Sequence, residues 1–403
     1  MSSADSVHEA PDFTASSAHV RSLLDAVGKD VLSRDRDNHP PYEPFDAVRR
    51  SRLGSARLPH GEGGGVDLPT LFELVIALAA ADSNVAHSLR NHFQFVEGLI
   101  RRSDSRDQRW RDLVGEGQIF GSAIAEPNRP VVGRRVPHYS THITSTDHGL
   151  RLSGEKIYST GNLYADWLVV TAQSDEGSPV RVVVPARDTG IEHVDDWDGI
   201  GQRFTGSGTT RFVCVAVPPN NFYDTTIGVG SAAYTATFPQ LYLTAVVAGI
   251  LRTVTADAAQ LVRDRDRTFY HASSEKPTDD PLLQFSVGQL SSAAFAAQSM
   301  VLSAARTLER AVDAYGTDEE ASTSSAAALD AARAKVVVDD LALTAASQLF
   351  DTGGGSAVRQ SAQLDRHWRN IRTLASHNPR TFKARAIGDY EISGRALPNG
   401  AFF

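Results

Sequence analysis

The sequence predicts an α+β fold: an N-terminal set of helices, a central antiparallel β-barrel domain and a C-terminal four-helix bundle. Three observations carry this. Apolar residues recur at spacings of three and four up to Ile119, short β-branched and alternating segments take over from Gln118, and long alanine-rich helical patterns return after Tyr234. The division expected is a lead-in over 1–16, a helical domain over 17–117, a β domain over 118–225 and a bundle over 226–403.

The lead-in MSSADSVHEAPDFTASS has no basic stretch followed by an apolar core, so it does not read as a secretory signal. Helical spacing then appears in VRSLLDAV and in LPTLFELVIALAAADSNVAHSL, separated by RLPHGEGGGVDLP (57–69), whose prolines and glycines make a turn. The segments QIFGSAIA, HYSTHITS, GLRLSGEKIY, DWLVVTAQ, VRVVVPA and TTRFVCVAVP alternate and are punctuated by turn residues, as in an antiparallel barrel or sandwich. From Tyr234 onward come three long periodic stretches, the second and third joined through YGTDEEASTSS (315–325), with alanine-rich faces suited to close antiparallel packing.

Composition narrows the function. Across 403 residues the net charge is −8 and Lys and Arg are scattered, so no nucleic-acid footprint is present. The apolar run LFELVIALAAA (71–81) is shorter than the roughly 20 residues of a membrane span, and no membrane partner is expected. A single cysteine, Cys214, allows no internal disulfide and points to a reducing cytoplasm.

Several motifs bear on chemistry. GVGSAA (228–233) is the nearest approach to a dinucleotide fingerprint, but it follows a Pro/Asn loop instead of opening a helix after a strand. Neither a P-loop nor a GxSxG elbow occurs. His138, His142 and His148 lack a completing carboxylate set, and strand alternation separates neighbours, so no metal site is expected. His92 lies on the apolar stripe Val85, Leu89, His92, Val96, Leu99, where the plain reading is a core histidine bonded to a backbone carbonyl. QLFDTGGGSAV (348–358) places glycines and Ser356 at a helix start, suited either to a phosphate or to a simple cap and turn. In RDRDRTF (263–269), Arg263, Arg265 and Arg267 cannot all share one face of a helix.

In their order and spacing, LPHGEGGG, GSAIAEPN, GEKIYSTGNLYADWLVV, DWDGIGQRFTGSGTTRFVCVAVP and QLFDTGGGS resemble the acyl-CoA dehydrogenase superfamily over nearly the whole chain. The dehydrogenases use a carboxylate base after an R-D/R-N element. Here Arg369-Asn370 is followed by IRTLASHNP with no glutamate at that point, and ASHNPRTFKARAIGDY resembles the flavin-dependent monooxygenase branch, with its dibenzothiophene, indole and phenol oxygenases.

The resemblance implies a two-component enzyme. A separate NAD(P)H-dependent flavin reductase would supply reduced flavin (FADH2 or FMNH2), whose C4a-hydroperoxyflavin would hydroxylate or N- or S-oxygenate an aromatic or heteroaromatic small molecule. It assigns His377 and His92 as the catalytic pair. It also places Asn128, Tyr158, Ser159, Thr160 and Gly161 along the flavin edge. Arg267 with Gly353, Gly354, Gly355 and Ser356 would sit at the cofactor phosphates, the glycines coming from a neighbouring subunit of a homo-oligomer, a tetramer in this family. Phe93, Phe95, Phe238 and Tyr242 are candidate pocket walls. The competing expectations are an acyl-CoA dehydrogenase with a relocated base and a flavin-binding paralogue without catalysis.

Overall fold

The computed structural model describes residues 11–102, 104–127, 139–224 and 233–398. Asn128, His138 and most of GVGSAA therefore lie outside the described residues. The first part holds helices α1 (Ala18–Gly28), α2 (Val31–Asp37), α3 (Tyr42–Ser51), α4 (Leu68–Ala81), α5 (Ser83–Ser88), α6 (Arg90–Arg102) and α7 (Gln108–Gly115). Asp67 starts α4 by accepting from the Thr70 amide at 2.8 Å, with Pro69 in the first turn, where its missing N–H costs nothing.

The periodic run expected as one helix from Leu68 breaks at Asp82. That residue is extended (φ −152°, ψ 111°), and its carboxylate caps α5 by accepting from the Asn84 amide at 2.9 Å. The break sends α5 and α6 along a new direction against the β domain.

Among the described residues eight strands follow: β1 (Phe120–Ala123), β2 (His142–Thr146), β3 (Gly149–Lys156), β4 (Trp167–Gln173), β5 (Pro179–Pro185), β6 (Ile191–Val194), β7 (Thr209–Ala216) and β8 (Phe222–Asp224). They form one mostly antiparallel sheet in the order β6-β7-β3-β2-β4-β5-β8, with β1 on β4. The departures from the antiparallel pattern are β1, parallel to β4 from Phe120↔Trp167 to Ala123↔Val170, and the single parallel pair His142↔Gln173. Leu168, Val170 and Ala172 of β4 face a core they share with Val180, Val182 and Val184 of β5. Within the sheet Lys156 is fully buried, paired with Glu126 at 2.7 Å and donating to Thr171 Oγ1 at 3.1 Å. The Glu126 carboxylate is further satisfied by the Ser140 and Thr141 amides, as a buried charge requires.

The C-terminal part consists of α8 (Thr237–Arg263), α9 (Pro281–Asp313), α10 (Glu320–Gly353), α11 (Asp365–His377) and α12 (Arg380–Ser393). The long α8, α9 and α10 pack together, and α4 lies against α8 and α9. Leu71 and Ile76 of α4, Leu241 and Val246 of α8, Val301 of α9 and Ala342 of α10 belong to one continuous core. The two helical parts thus share their interior, while the sheet has one core of its own and, through Phe120, Val169 and Val183, shares another with α6 and α7. By length and composition α8, within the run Tyr234–Arg263, is apolar enough to cross a membrane. Here it is the central core helix, buried from Thr237 to Leu251.

Candidate functional site

The site is built around the end of α11. Pro379 disfavours helical backbone at the residue before it, and Asn378 is extended (φ −141°, ψ 115°), so the helix stops at His377. The rest of α11 is held firmly. Arg366 and His367 both bond Asp257 Oδ2 of α8, at 2.6 and 2.8 Å, and Arg369 pairs with Asp35 and Asp365. Asn370 Oδ1 accepts from the Gln202 amide at 2.6 Å. A β-carbon at Gly201 would lie 2.1 Å from the Arg369 carbonyl, so only glycine lets the 199–202 loop lie on the helix.

From that loop Gln202 reaches back to the first helical part. Its Nε2 donates to Ser83 Oγ at 3.0 Å, and its Oε1 accepts from His87 Nδ1 at 3.0 Å. This fixes the His87 tautomer and leaves Nε2 as a buried lone pair without a hydrogen-bond partner. One turn on, Arg90 Nη1 donates to His377 Nε2 at 3.4 Å, and Arg90 Nη2 approaches Asn91 Oδ1 at 3.4 Å. Asn91 Nδ2 donates to the Thr160 carbonyl at 3.0 Å. Thus α5, α6, α11 and the β domain meet at one recess.

The β domain contributes the corner Tyr158–Gly161 after β3. Gly161 has φ +89°, and a β-carbon there would sit 2.5 Å from the Ser88 carbonyl, so the corner docks on α5 through glycine alone. The Gly161 amide donates to the Thr205 carbonyl at 2.8 Å. Thr160 Oγ1, Ser207 Oγ and Thr205 Oγ1 form a buried hydroxyl chain with separations of 2.8 and 2.6 Å. Ser159 Oγ and Asn162 Oδ1 are buried without partners. Tyr158 itself is 65% exposed, has φ +52°, and meets the Trp197 ring edge-on at 6.2 Å. An outward aromatic pair over a turned backbone with spare polar atoms fits a planar, polar heterocycle such as a flavin ring.

Charge in the recess is lopsided. Burial, then Arg90 and Lys335, push His377 down to about 3, while its ring keeps an accessible edge. Burial, then Arg90 and His377, push His87 down to about 3 as well. Arg90 is itself lowered to about 10 by burial. Lys335 is paired with Asp339 at 2.8 Å, both buried in α10. Among the described residues, the charged groups that hold His377 down are Arg90 and Lys335.

His92 stands apart. All five residues of its stripe, Val85, Leu89, His92, Val96 and Leu99, are fully buried. His92 Nδ1 accepts from the Phe120 amide at 3.1 Å and Nε2 donates to the Gly54 carbonyl at 3.0 Å. Both nitrogens are consumed by backbone, so the ring has no proton to exchange with a ligand. The expected His377–His92 pair is corrected on this geometry: the imidazole beside His377 is His87, five residues earlier.

The other expected residues divide. Tyr158, Ser159, Thr160 and Gly161 form the corner just described, and Asn128 lies outside the described residues. The pocket walls are corrected: Phe93, Phe238 and Tyr242 cluster with Phe72 in the core, and Phe95 stacks on Phe120 at 4.4 Å. Gly353 closes α10, and Gly354, Gly355 and Ser356 make a short turn against Leu261 and Arg265. The arginine at that turn is Arg265, donating to the Thr352 carbonyl at 3.1 Å, while Arg267 is exposed to solvent. Gly353 lies eighteen residues beyond Lys335, about 27 Å along the helix, so this turn is remote from His377 of its own chain. A shallow surface recess lined by Asp46, Arg49, Asp166, Pro185 and Arg187 is also separate, with Arg49 already paired to both carboxylates.

His87, Arg90, Gln202 and Ser207 were not singled out from the sequence. A signal existed: Arg90 and Asn91 lie three and four residues after His87, a polar stripe beside the apolar one.

The buried neutral histidines have a pH consequence. His87 and His92 are held at about 3 and 4 against 6.5 for a free imidazole, so between those values the unfolded chain binds protons the folded chain refuses. Stability is expected to fall as pH is lowered from 7 through 5, read as a declining urea midpoint, and His87→Gln should flatten part of that slope. A midpoint that rises over this range contradicts the assignment.

Comparison with known proteins adds independent findings. A family model described as "Acyl-CoA dehydrogenase, C-terminal domain" matches residues 241–380. Dibenzothiophene monooxygenase of Mycolicibacterium goodii is 28% identical over 380 residues, covering 91% of this chain and 90% of that protein. A probable FMNH2-dependent monooxygenase of Pseudomonas putida is 27% identical over 389 residues, covering 94% and 95%. The crystal structure of TdsC from Paenibacillus sp. A11-2 with FMN and indole superposes with a TM-score of 0.85 at 25% identity, covering 96% of this chain and 98% of that one.

Proposed function

We infer, for a chain that belongs to the acyl-CoA dehydrogenase-like family of two-component, reduced-flavin-dependent monooxygenases, that it oxygenates an aromatic or heteroaromatic small molecule with His377 handling the proton. The observation that carries this reading is the recess itself: a neutral imidazole at the end of α11, ringed by Arg90, Lys335 and His87, where removal of an α-proton from a thioester would call for a carboxylate.

The corner 158–161 with the Thr160–Ser207–Thr205 hydroxyls would hold the flavin ring, and Asn91 ties that corner to Arg90. Bound reduced flavin, FMNH2 or FADH2, supplies the two electrons with which one oxygen atom of O2 goes to substrate and the other to water. A separate NAD(P)H-dependent flavin reductase delivers it. The protein's own contribution is to exclude water, hold the reactants in register and move a proton at His377 Nε2. The dibenzothiophene in the name of one relative and the indole bound in the TdsC complex support an aromatic ligand, as does the exposed Tyr158–Trp197 pair.

We also propose a homotetramer in the cytoplasm. The glycine turn is too far from His377 of its own chain to serve one flavin with it, so it would serve a neighbour's. Leu282, Phe285 and Phe295 of α9 and Phe382 and Ile392 of α12 are exposed apolar side chains of the kind subunit contacts cover.

The direct test is a coupled reaction under ¹⁸O2 with a flavin reductase, NADH, FMN and catalase, offering indole and dibenzothiophene as probes. Products carrying a single ¹⁸O atom are expected. Hydrogen peroxide as the sole product, or bleaching of bound oxidised flavin by an acyl-CoA, would overturn the reading, the second in favour of a dehydrogenase.

A further inference from the structure

Arg90 is not required by a proton role for His377, and its surroundings do not account for it. Its guanidinium meets no carboxylate among the described residues. Its two contacts, to His377 Nε2 and Asn91 Oδ1, are both at 3.4 Å, the outer limit of a hydrogen bond to neutral acceptors. Its Nε is buried with no acceptor at all. Lys335, the other cation acting on His377, already has Asp339 as its counter-charge. A guanidinium only partly open to solvent, its Nε fully buried, and without a counter-ion among the described residues is costly, and an anionic ligand can supply that counter-ion.

We propose that Arg90 binds an oxyanion carried by the substrate, a carboxylate or a sulfinate, so that the substrate is an organic acid oxygenated elsewhere on its skeleton or at the sulfinate itself. The proposal rests on the reading of this recess as the substrate site. A guanidinium offers its planar fork to two oxygens at once, which an ammonium cannot do, and the weak bonds to His377 and Asn91 are cheap to exchange for it.

The exchange has a chemical consequence for the neighbouring imidazole. While Arg90 donates to His377 Nε2, that lone pair is occupied and the adjacent positive charge opposes protonation. An oxyanion that takes the guanidinium draws Arg90 away from Nε2 and offsets its charge, so a substrate bearing the anion arms the base more fully than a neutral one, which can still turn over more slowly. Among the described residues, the charged and titratable groups acting with His377 are Arg90 and His87 from the first helical part and Lys335 from α10, and an anion on Arg90 changes the sum.

The test is anaerobic fluorescence titration of the full-length protein, with and without reduced FMN, using 2-naphthoate, naphthalene-2-sulfinate and the neutral 2-naphthamide. The naphthoate or the sulfinate is expected to bind at least tenfold more tightly than the amide, and which does so identifies the anion. Arg90→Gln should remove that advantage while leaving 2-naphthamide and reduced-FMN affinities within about twofold, and Arg90→Lys should restore only part of it. No preference for either anion in the wild-type protein, or equal loss for anion and amide, overturns the proposal. So does a parallel loss of reduced-FMN affinity in Arg90→Gln, which would assign Arg90 to the cofactor. Because no oxygen is present, the titration is readable even if the monooxygenase reading fails, and that failure would show separately in the ¹⁸O2 reaction.

Discussion

His377→Ala is expected to lower product formation by about 10²- to 10⁴-fold, the range typical of a positioned general acid or base, while reduced-flavin affinity stays within about threefold. The expectation follows from where the ring is placed. It is the last residue of α11, and the helix that carries it is anchored separately through Arg366, His367 and Asn370. Removing it therefore leaves the helix anchored and the 158–161 corner intact. Product formation and flavin binding are to be measured on the same preparation, by coupled turnover and by anaerobic titration. Equal loss of both would show that the imidazole supports the structure of the recess instead of acting in it.

His92→Ala should behave in the opposite way. The substitution leaves the Gly54 carbonyl and the Phe120 amide buried without partners and opens space between Phe93 and Phe120. Each orphaned group costs about 1–3 kcal/mol and the lost packing adds to it, so the total is on the order of 3–5 kcal/mol. The folded fraction and the urea midpoint should drop markedly, and the molecules that remain folded should keep most of their turnover. A His92→Ala protein of undiminished stability that has lost only turnover would restore His92 as a catalytic residue.

These two histidines show what a linear sequence conveys. The stripe Val85, Leu89, His92, Val96, Leu99 is legible because helical period and burial are local facts, and all five side chains are indeed in the core. The stop at Asn378-Pro379, and so the position of His377, is legible for the same reason. The order of helices, sheet and helices follows from a change of period near Gln118 and again near Tyr234. What the sequence hides is contact across the chain. Gln202 is 115 positions from His87, and Arg90 is 287 from His377. The break at Asp82 that turns α5 and α6 towards the sheet depends on one capping carboxylate within an otherwise unbroken apolar pattern. Phe93, Phe238 and Tyr242 look alike in sequence whether they wall a pocket or fill a core, and here they fill the core.

On this account the recess protects reduced flavin while it reacts with O2, a property the protein must have to act as a monooxygenase. It is tested most directly by stopped-flow mixing of O2 with reduced FMN bound anaerobically to the wild-type protein, following the return of oxidised-flavin absorbance. A lag, with oxidised flavin appearing far more slowly than from free reduced FMN and peroxide release delayed to match, is the expected result. Oxidation as fast as in free solution, with stoichiometric peroxide at once, would contradict it.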